Sequence, residues 1–277
     1  MKTLYESILD DNIEDQYSPE KLNVDRFMRW IDKYIKGNII SPKVSYNDKE
    51  NLIDIDGYLK IPRKTALLPQ GLKLGNVKAF DTEDARYFDK GLLPKHVDVL
   101  NANYCFERPK SPVNINCTQA IISWTSVVHN INIEDPIYLE KLIPGVIGLA
   151  NMKASEIKNI NINSKHPVSI IWDGDDWSGD SNASNCKRIM EKDISNQEKK
   201  ELILKKFPLK DIEKYWKNVE FIYYTYRLMV SAFNSTSHIL CKERINHIQN
   251  IMTPQEFCLV KKGKEWDVIF SWQARNN

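Results

Sequence analysis

The hydrophobic pattern near the start of the chain predicts one amphipathic helix. A Ser-Pro-Glu sequence at residues 18–20 supplies a capping hydroxyl and a proline suited to the first helical turn. Up to the Gly-Asn pair at 37–38, apolar residues recur at helical spacing: Leu22, Phe27, Trp30, Ile31, Tyr34 and Ile35. We therefore predict a helix over residues 19–36. Residues 1–17 are acidic and lack such a pattern, so we predict a flexible N-terminal segment there.

From about residue 39 the pattern changes to short apolar runs separated by turn residues, which predicts strands. The segment ALLPQGLKLGNVKAF at 66–80 aligns with GLLPKHVDVLNANYCF at 91–106 at an offset of 25 residues, which places Asn76 against Asn101. Leucine-rich repeats have periods in this range and place a short strand before a buried asparagine. We therefore predict that residues 18–124 form the helix and a repeat-like curved β-sheet of degenerate leucine-rich-repeat strands. Because two copies are too few for a solenoid, the helix or the second half must cover the open ends.

Residues 125–277 carry the pattern of a helix-rich α/β half. The apolar run PVSIIW at 167–172 predicts a buried strand. Helical spacing predicts five further helices, over residues 183–193, 196–206, 209–219, 220–240 and a last segment through Ile245, Ile248 and Ile251. At the end of the chain, FCLVK and WDVIFSW flank a Lys-Gly-Lys turn, which predicts a β-hairpin. The fold class predicted for the whole chain is α+β or mixed α/β.

Composition and charge exclude several classes of protein. The 39 Lys and Arg nearly balance the 37 Asp and Glu, so the net charge of +2 gives no overall attraction to nucleic acid or to a membrane surface. The five cysteines, at 105, 117, 186, 241 and 258, show no C-x-x-C spacing, which argues against disulfides and structural zinc. The chain lacks a signal-peptide pattern and an apolar run of about 20 residues, so we expect a cytoplasmic protein.

An acidic stretch follows the strand predicted at 167–172. Carboxylates at the carboxyl end of a buried strand are where α/β folds place metal and catalytic groups. A divalent metal would be held here by Asp173, Asp175, Asp176 and Asp180. The stretch partly matches the D-x-D motif of phosphohydrolases and sugar-nucleotide transferases, but it lacks the hydroxyl residue that phosphohydrolases carry after their second Asp. The favoured interpretation is a solvated turn whose Asp side chains bond their own backbone, and no other cofactor is expected.

The sequence contains no Walker A, G-x-S-x-G, H-E-x-x-H or G-x-G-x-x-G motif, which lowers the expectation of catalysis. A curved repeat sheet would instead present side chains for binding. The aromatic candidates for that surface are Tyr58, Phe80, Tyr87, Tyr104 and Phe106. Most aromatic side chains beside strand residues pack inward, so each one individually is more typical of a core position.

A nucleic-acid site is a third interpretation of the sequence. Residues 187–217 hold ten basic residues interleaved with six acidic ones, a pattern that favours a solvated helix face. If nucleic acid were bound there, Tyr215, Trp216 and Tyr223 would be the residues that stack on bases. The balance of charges makes this partner the least favoured of those considered.

Several segments together resemble a set of uncharacterised gut-bacterial and bacteriophage proteins. These segments are the opening KTLYESILDD, the run IDIDGYLKI, and the two LLPQGLKLGNVKAF and LLPKHVDVLNANYC units. Proteins of that set begin with a similar LYESIL peptide and continue into degenerate leucine-rich-like repeats. The resemblance covers roughly residues 1–120 and ends where this chain becomes α/β. It implies a phage or bacterial cytoplasmic setting and a binding surface, and it supplies no catalytic residues.

Our leading hypothesis is a non-enzymatic, phage-encoded interaction protein that engages a host or phage protein. The 25-residue repeat and the missing catalytic motifs motivate it. The first alternative is a metal-dependent enzyme that acts on phosphate or sugar-nucleotide substrates through the acidic stretch. The second alternative is a virion or assembly component. The sequence leaves the oligomeric state open.

Overall fold

The computed structural model describes residues 19–35, 39–61, 68–82, 92–102, 113–123, 131–134, 137–138, 143–150, 154–173, 181–225 and 241–271. The helices of these stretches are α1 (Pro19–Trp30, continuing as a π-helical turn over Ile31–Ile35), α2 (Ser181–Met190), α3 (Asn196–Lys206), α4 (Leu209–Tyr215) and α5 (Cys241–Ile251), with a 3-10 helix at Ala154–Asn159. The strands are β1 (Ile39–Asn47), β2 (Leu52–Lys60), β3 (Lys73–Asp81), β4 (His96–Ala102), β5 (Val113–Ser123), β6 (Ile131–Glu134), β7 (Ile137–Tyr138), β8 (Ile143–Pro144), β9 (Val146–Ala150), β10 (Ile160–Asn163), β11 (Val168–Asp173), β12 (Val219–Thr225), β13 (Phe257–Lys262) and β14 (Glu265–Phe270). The prediction of a chain that mixes helices and strands is confirmed.

One mixed sheet runs through both halves of the chain, in the order β1-β2-β3-β4-β5-β9-β11-β12-β13-β14. In this order, all neighbouring strands from β2 to β12 are parallel. Antiparallel strands form both edges of the sheet, with β1 at one edge and the β13-β14 hairpin at the other. Strands β6 and β10 extend beside the start of β5. Because β5 pairs with β9, one sheet includes strands from both of the segments predicted as 18–124 and 125–277.

The two segments that align as a repeat form the parallel neighbours β3 and β4, but their register differs from the sequence alignment. Val77 of β3 pairs with Val97 of β4, an offset of 20 residues instead of 25. The Leu-Pro turn before β4 is five residues closer to its paired valine than the turn before β3, so aligning the two turns misplaces the strands. Asn76 is exposed within β3, and it is therefore not the buried asparagine of a leucine-rich repeat.

One face of the sheet forms the main hydrophobic core. Paired residues such as Leu59, Phe80 and Leu100 follow one another across β2, β3 and β4, and all three are buried. Residues of α1 and of α2 to α4 belong to the same core cluster. Near β11, an aromatic group fills the space under these helices: Trp172, Phe207, Trp216, Tyr224 and Phe257.

The opposite face is covered only in part. Over β9, β11, β12 and β13 this face is covered by α5 and the turn after it. Ile248 and Met252 pack there with Ile171 and Tyr223 in a second hydrophobic core. Arg244 of α5 is buried on this side and donates from Nη1 to Ser169 Oγ at 3.2 Å. Over β1 to β4 the same face carries exposed side chains.

Several predicted elements are confirmed, and one is wrong. Helix α3 matches the prediction over 196–206 and begins with a capping box between Ser195 and Glu198. The C-terminal hairpin turns at Gly263, which has a φ of 67°. The helix predicted over 220–240 is wrong at its start, because residues 219–225 form the buried strand β12, and residues 226–240 lie outside the described part. Within the described stretches, no helix is long and apolar enough to cross a membrane.

Candidate functional site

The exposed side of β1 to β4 is the strongest candidate for a functional surface. We call it the open sheet face and define it as the outward side chains between Lys43 of β1 and Val99 of β4. Most apolar residues of these strands enter the main core, and most polar ones are exposed or only partly buried. The face contains a depression of about 460 Å³. Its side chains fall into three rows that cross the strands.

The first row alternates in charge from strand to strand. It consists of Lys43, Asp56, Lys78 and Asp98, one residue from each of the four strands. Lys43 pairs with Asp56 in the strand register, and Lys78 Nζ lies 3.4 Å from Asp56 Oδ1. Lys78 and Asp98 lie at the same level because their neighbours, Val77 with Val97 and Ala79 with Val99, are paired. The side chains of Lys78 and Asp56 are 65% and 66% exposed, so both remain available to a partner.

The second row is polar and consists of Ser45, Asp54, Asn76 and His96. Ser45 pairs with Asp54, and Asn76 pairs with His96. The Asn76 backbone N–H donates to Asp54 Oδ1 at 2.6 Å, which fixes this carboxylate against β3. Gly75 makes that approach possible, since a Cβ at this position would overlap Asp54 Oδ1.

The third row is apolar and consists of Tyr58, Ala79 and Val99, which are paired across β2, β3 and β4. Val99 is 39% exposed, unlike its neighbours Val97 and Leu100 in the core. Tyr58 is half-buried, and its hydroxyl donates to Asp81 Oδ2 at 2.6 Å. In the strand register, Val99 pairs with Gln119 of β5, and Gln119 pairs with Val146 of β9, which belongs to the second core.

The structure describes two of the five aromatic residues that the sequence suggested for a binding surface. Tyr58 lies on the open sheet face. Phe80 is 1% exposed and belongs to the main core, which corrects the expectation that a partner would contact it. Tyr87, Tyr104 and Phe106 lie outside the described residues. The charged row was missed at the sequence level because it exists only once four strands are paired.

The acidic stretch is described only at its first residue. Asp173 ends β11, and its backbone pairs with Thr225 of β12. The Asp173 side chain and the residues Asp175, Asp176 and Asp180 lie outside the described part. Among the residues that are described, no group of three or more His, Cys, Asp or Glu side chains is placed to hold a metal ion. The metal site therefore stays a prediction.

A buried carboxylate lies beside the same edge of the sheet. Glu256 is 1% exposed and accepts hydrogen bonds from Tyr223 Oη at 2.7 Å, from Thr225 Oγ1 at 2.8 Å and from the Thr253 backbone N–H at 2.8 Å. Two hydroxyls and a backbone donor thus compensate the cost of burying the carboxylate. This arrangement joins β12 to the turn after α5.

Two cysteines and two aromatic residues considered for base stacking are buried. Burial raises the pKa of the Cys117 and Cys186 thiols to about 12, so both stay protonated and are poor nucleophiles. Trp216 and Tyr223, two of the three residues proposed to stack on nucleic-acid bases, are 1% and 0% exposed. The indole of Trp216 instead donates to the Ile160 carbonyl at 3.0 Å.

No protein family, curated protein or solved structure matches the chain. The open sheet face must therefore be interpreted from its own geometry. It offers charges of both signs and hydrogen-bonding side chains around one depression, and an apolar row that does not line this depression. Protein interfaces combine polar, charged and apolar groups in the same way.

Proposed function

We propose that this chain is a non-enzymatic protein that binds another protein through the open sheet face. One observation carries the proposal: the same side of the sheet is covered by α5 over β9 to β13 and exposed over β1 to β4. Parallel sheets usually have both faces covered, so an exposed face on parallel strands β2 to β4 is unusual. Repeat proteins are the class in which such a face is the binding surface.

The composition of the face supports a protein partner. Protein interfaces combine an apolar centre with polar and charged groups, and they are about as apolar as the rest of a protein surface. The row of Tyr58, Ala79 and Val99 supplies apolar contact area, while the charged row beside it supplies specificity. A curved, repeat-like shape of this sheet is part of the proposal, and the parallel pairing of β2 to β5 supports it.

The resemblance to bacterial and phage proteins adds a setting to this proposal. A partner from the host or the phage, met in the bacterial cytoplasm, follows from that resemblance. The metal-dependent enzyme and the virion component stay predictions, since neither has a described arrangement of side chains in its favour.

In-cell photo-crosslinking tests the proposed surface. A photoreactive phenylalanine analogue replaces Val99 on the open sheet face, and the matched control carries it at Lys187, which is exposed on α2. We expect one discrete adduct from position 99 and none of the same mass from position 187. Binding of the isolated partner should weaken at least tenfold with Lys78→Glu and stay unchanged with Lys187→Glu. Equal adducts from both positions, or equal binding by both variants, would contradict the proposal.

A further inference from the structure

We propose that a second copy of this chain docks on the open sheet face, so that two copies form a face-to-face dimer with two-fold symmetry. This inference rests on the proposed function, because it names an occupant for the same surface. It requires the two-fold axis to run parallel to the strands, midway between β2 and β3. Rotation about this axis leaves each residue at the same height along its strand and reverses the order of the strands. Strand β1 of one copy therefore faces β4 of the other, and β2 faces β3.

The charged row fits itself under this operation. Its order is Lys43, Asp56, Lys78, Asp98, and the reversed order of the second copy places an opposite charge at every position. Lys43 then faces Asp98 of the second copy, and Asp56 faces Lys78 of the second copy. Each contact occurs twice because the interface is isologous. The row would not fit itself if the signs read the same from both ends.

The other two rows obey the same operation. In the polar row, Asp54 faces Asn76 of the second copy, which sets a carboxylate acceptor opposite an amide donor. In the apolar row, Tyr58 faces Ala79 of the second copy, which sets a large side chain opposite a small one. Large residues opposite small ones allow two sheets to interdigitate when they pack face to face with roughly aligned strands. The three rows thus agree on one symmetry axis.

The size of the face sets the expected strength. Four strands about 4.8 Å apart and roughly six residues of about 3.3 Å each give a face of about 400 Å² per copy, or about 800 Å² in total. That area is below the range of about 1,200 to 2,000 Å² for stable complexes, so we expect a weak dimer in the micromolar range or above. Because exposed charges contribute, the association should weaken as salt screens them.

Sedimentation velocity of the whole chain, from about 1 to 500 µM in low salt, tests the dimer. We expect a concentration-dependent monomer–dimer equilibrium that shifts toward monomer in high salt. Lys78→Asp should weaken dimerisation at least tenfold, because at each of the two symmetry-related contacts it sets one carboxylate against Asp56 of the other copy. Asp56→Lys alone should weaken it equally, through two opposed ammonium groups. Thermal unfolding of each variant checks that the fold is retained.

The double swap Asp56→Lys/Lys78→Asp gives the sharpest outcome. Its row reads positive, positive, negative, negative, which is again complementary to its own reverse, so dimerisation should return to within about threefold of the natural chain. Lys187→Asp on α2 is the matched control and should leave the equilibrium unchanged. A natural chain that stays monomeric throughout, or a double swap that stays as weak as the single variants, would overturn the proposal. A monomer that still crosslinks a different protein from position 99 would overturn the dimer and leave the proposed binding function standing.

Discussion

Replacing Tyr223 by Phe removes one hydroxyl from the buried network around Glu256 and leaves the aromatic ring in place. Tyr223 is fully buried, and its Oη lies 2.7 Å from Glu256 Oε2. Leaving a buried acceptor without one of its donors costs about 1 to 3 kcal/mol, so we expect the free energy of unfolding to fall by about 2 kcal/mol. The ring still fills its place in the second core beside Ile171 and Ile248, so no cavity term should add to this loss.

Urea denaturation at neutral pH, followed by tryptophan fluorescence, measures this loss. The matched control is Tyr46→Phe, which removes an exposed hydroxyl that donates to Asn51 Oδ1. Exposed hydrogen bonds exchange readily with water, so the control should cost less than about 0.5 kcal/mol. A Tyr223→Phe loss no larger than that of the control would refute the reasoning. Glu256 would then not be held in place by its hydrogen bonds to β12.

Two further predictions concern the open sheet face and the C-terminal hairpin. Gly75→Ala should lower the free energy of unfolding by about 1 kcal/mol, because the new Cβ displaces Asp54 from the Asn76 N–H. Urea denaturation measures this loss. The same substitution in an Asp54→Ala background should cost less than half as much. At Asp267, desolvation opposes ionisation, but hydrogen bonds from Lys262 and Lys200 outweigh it and lower the pKa from 3.8 to about 2. Because the folded-state pKa is depressed, the stabilisation is present above pH 4 and is lost as the pH falls toward 2. An Asp267→Asn variant should therefore be less stable by about 1 kcal/mol at pH 6, after allowance for solvent screening, and most of this difference should be lost by pH 2; a difference that does not change with pH would contradict this.

The elements that the sequence predicted correctly depend on local signals. The capping box, formed by Ser195 and Glu198, marks the start of α3. Gly263, which has a positive φ, marks the hairpin turn. By contrast, the run VEFIYYT in β12 is apolar on both faces, because one face packs under α2 to α4 and the other under α5. Such a run carries no alternation, so the pattern does not separate a buried strand from a buried helix.

The register of the repeat and the open sheet face depend on long-range pairing, which local patterns do not specify. The two Leu-Pro turns look equivalent in the sequence, but strand pairing is decided by which residues enter the core. Val77 and Val97 are paired and both are buried in the core. The positions of the two Leu-Pro turns are a consequence of this pairing. The alternating charges were likewise visible only as isolated Lys and Asp residues in four separate segments. They became a row when β1 to β4 were paired.

The polar composition of the open sheet face separates two explanations for its exposure. If another element such as α5 packed permanently on this face, its outward side chains would be apolar, as Ile171, Phe221 and Tyr223 are in the second core. They are instead Lys, Asp, Asn and Ser, with only the short apolar row beside them. Burying these charges permanently would cost more than their pairing returns unless every one is matched. This composition supports the proposal of a partner that binds reversibly and carries complementary charges.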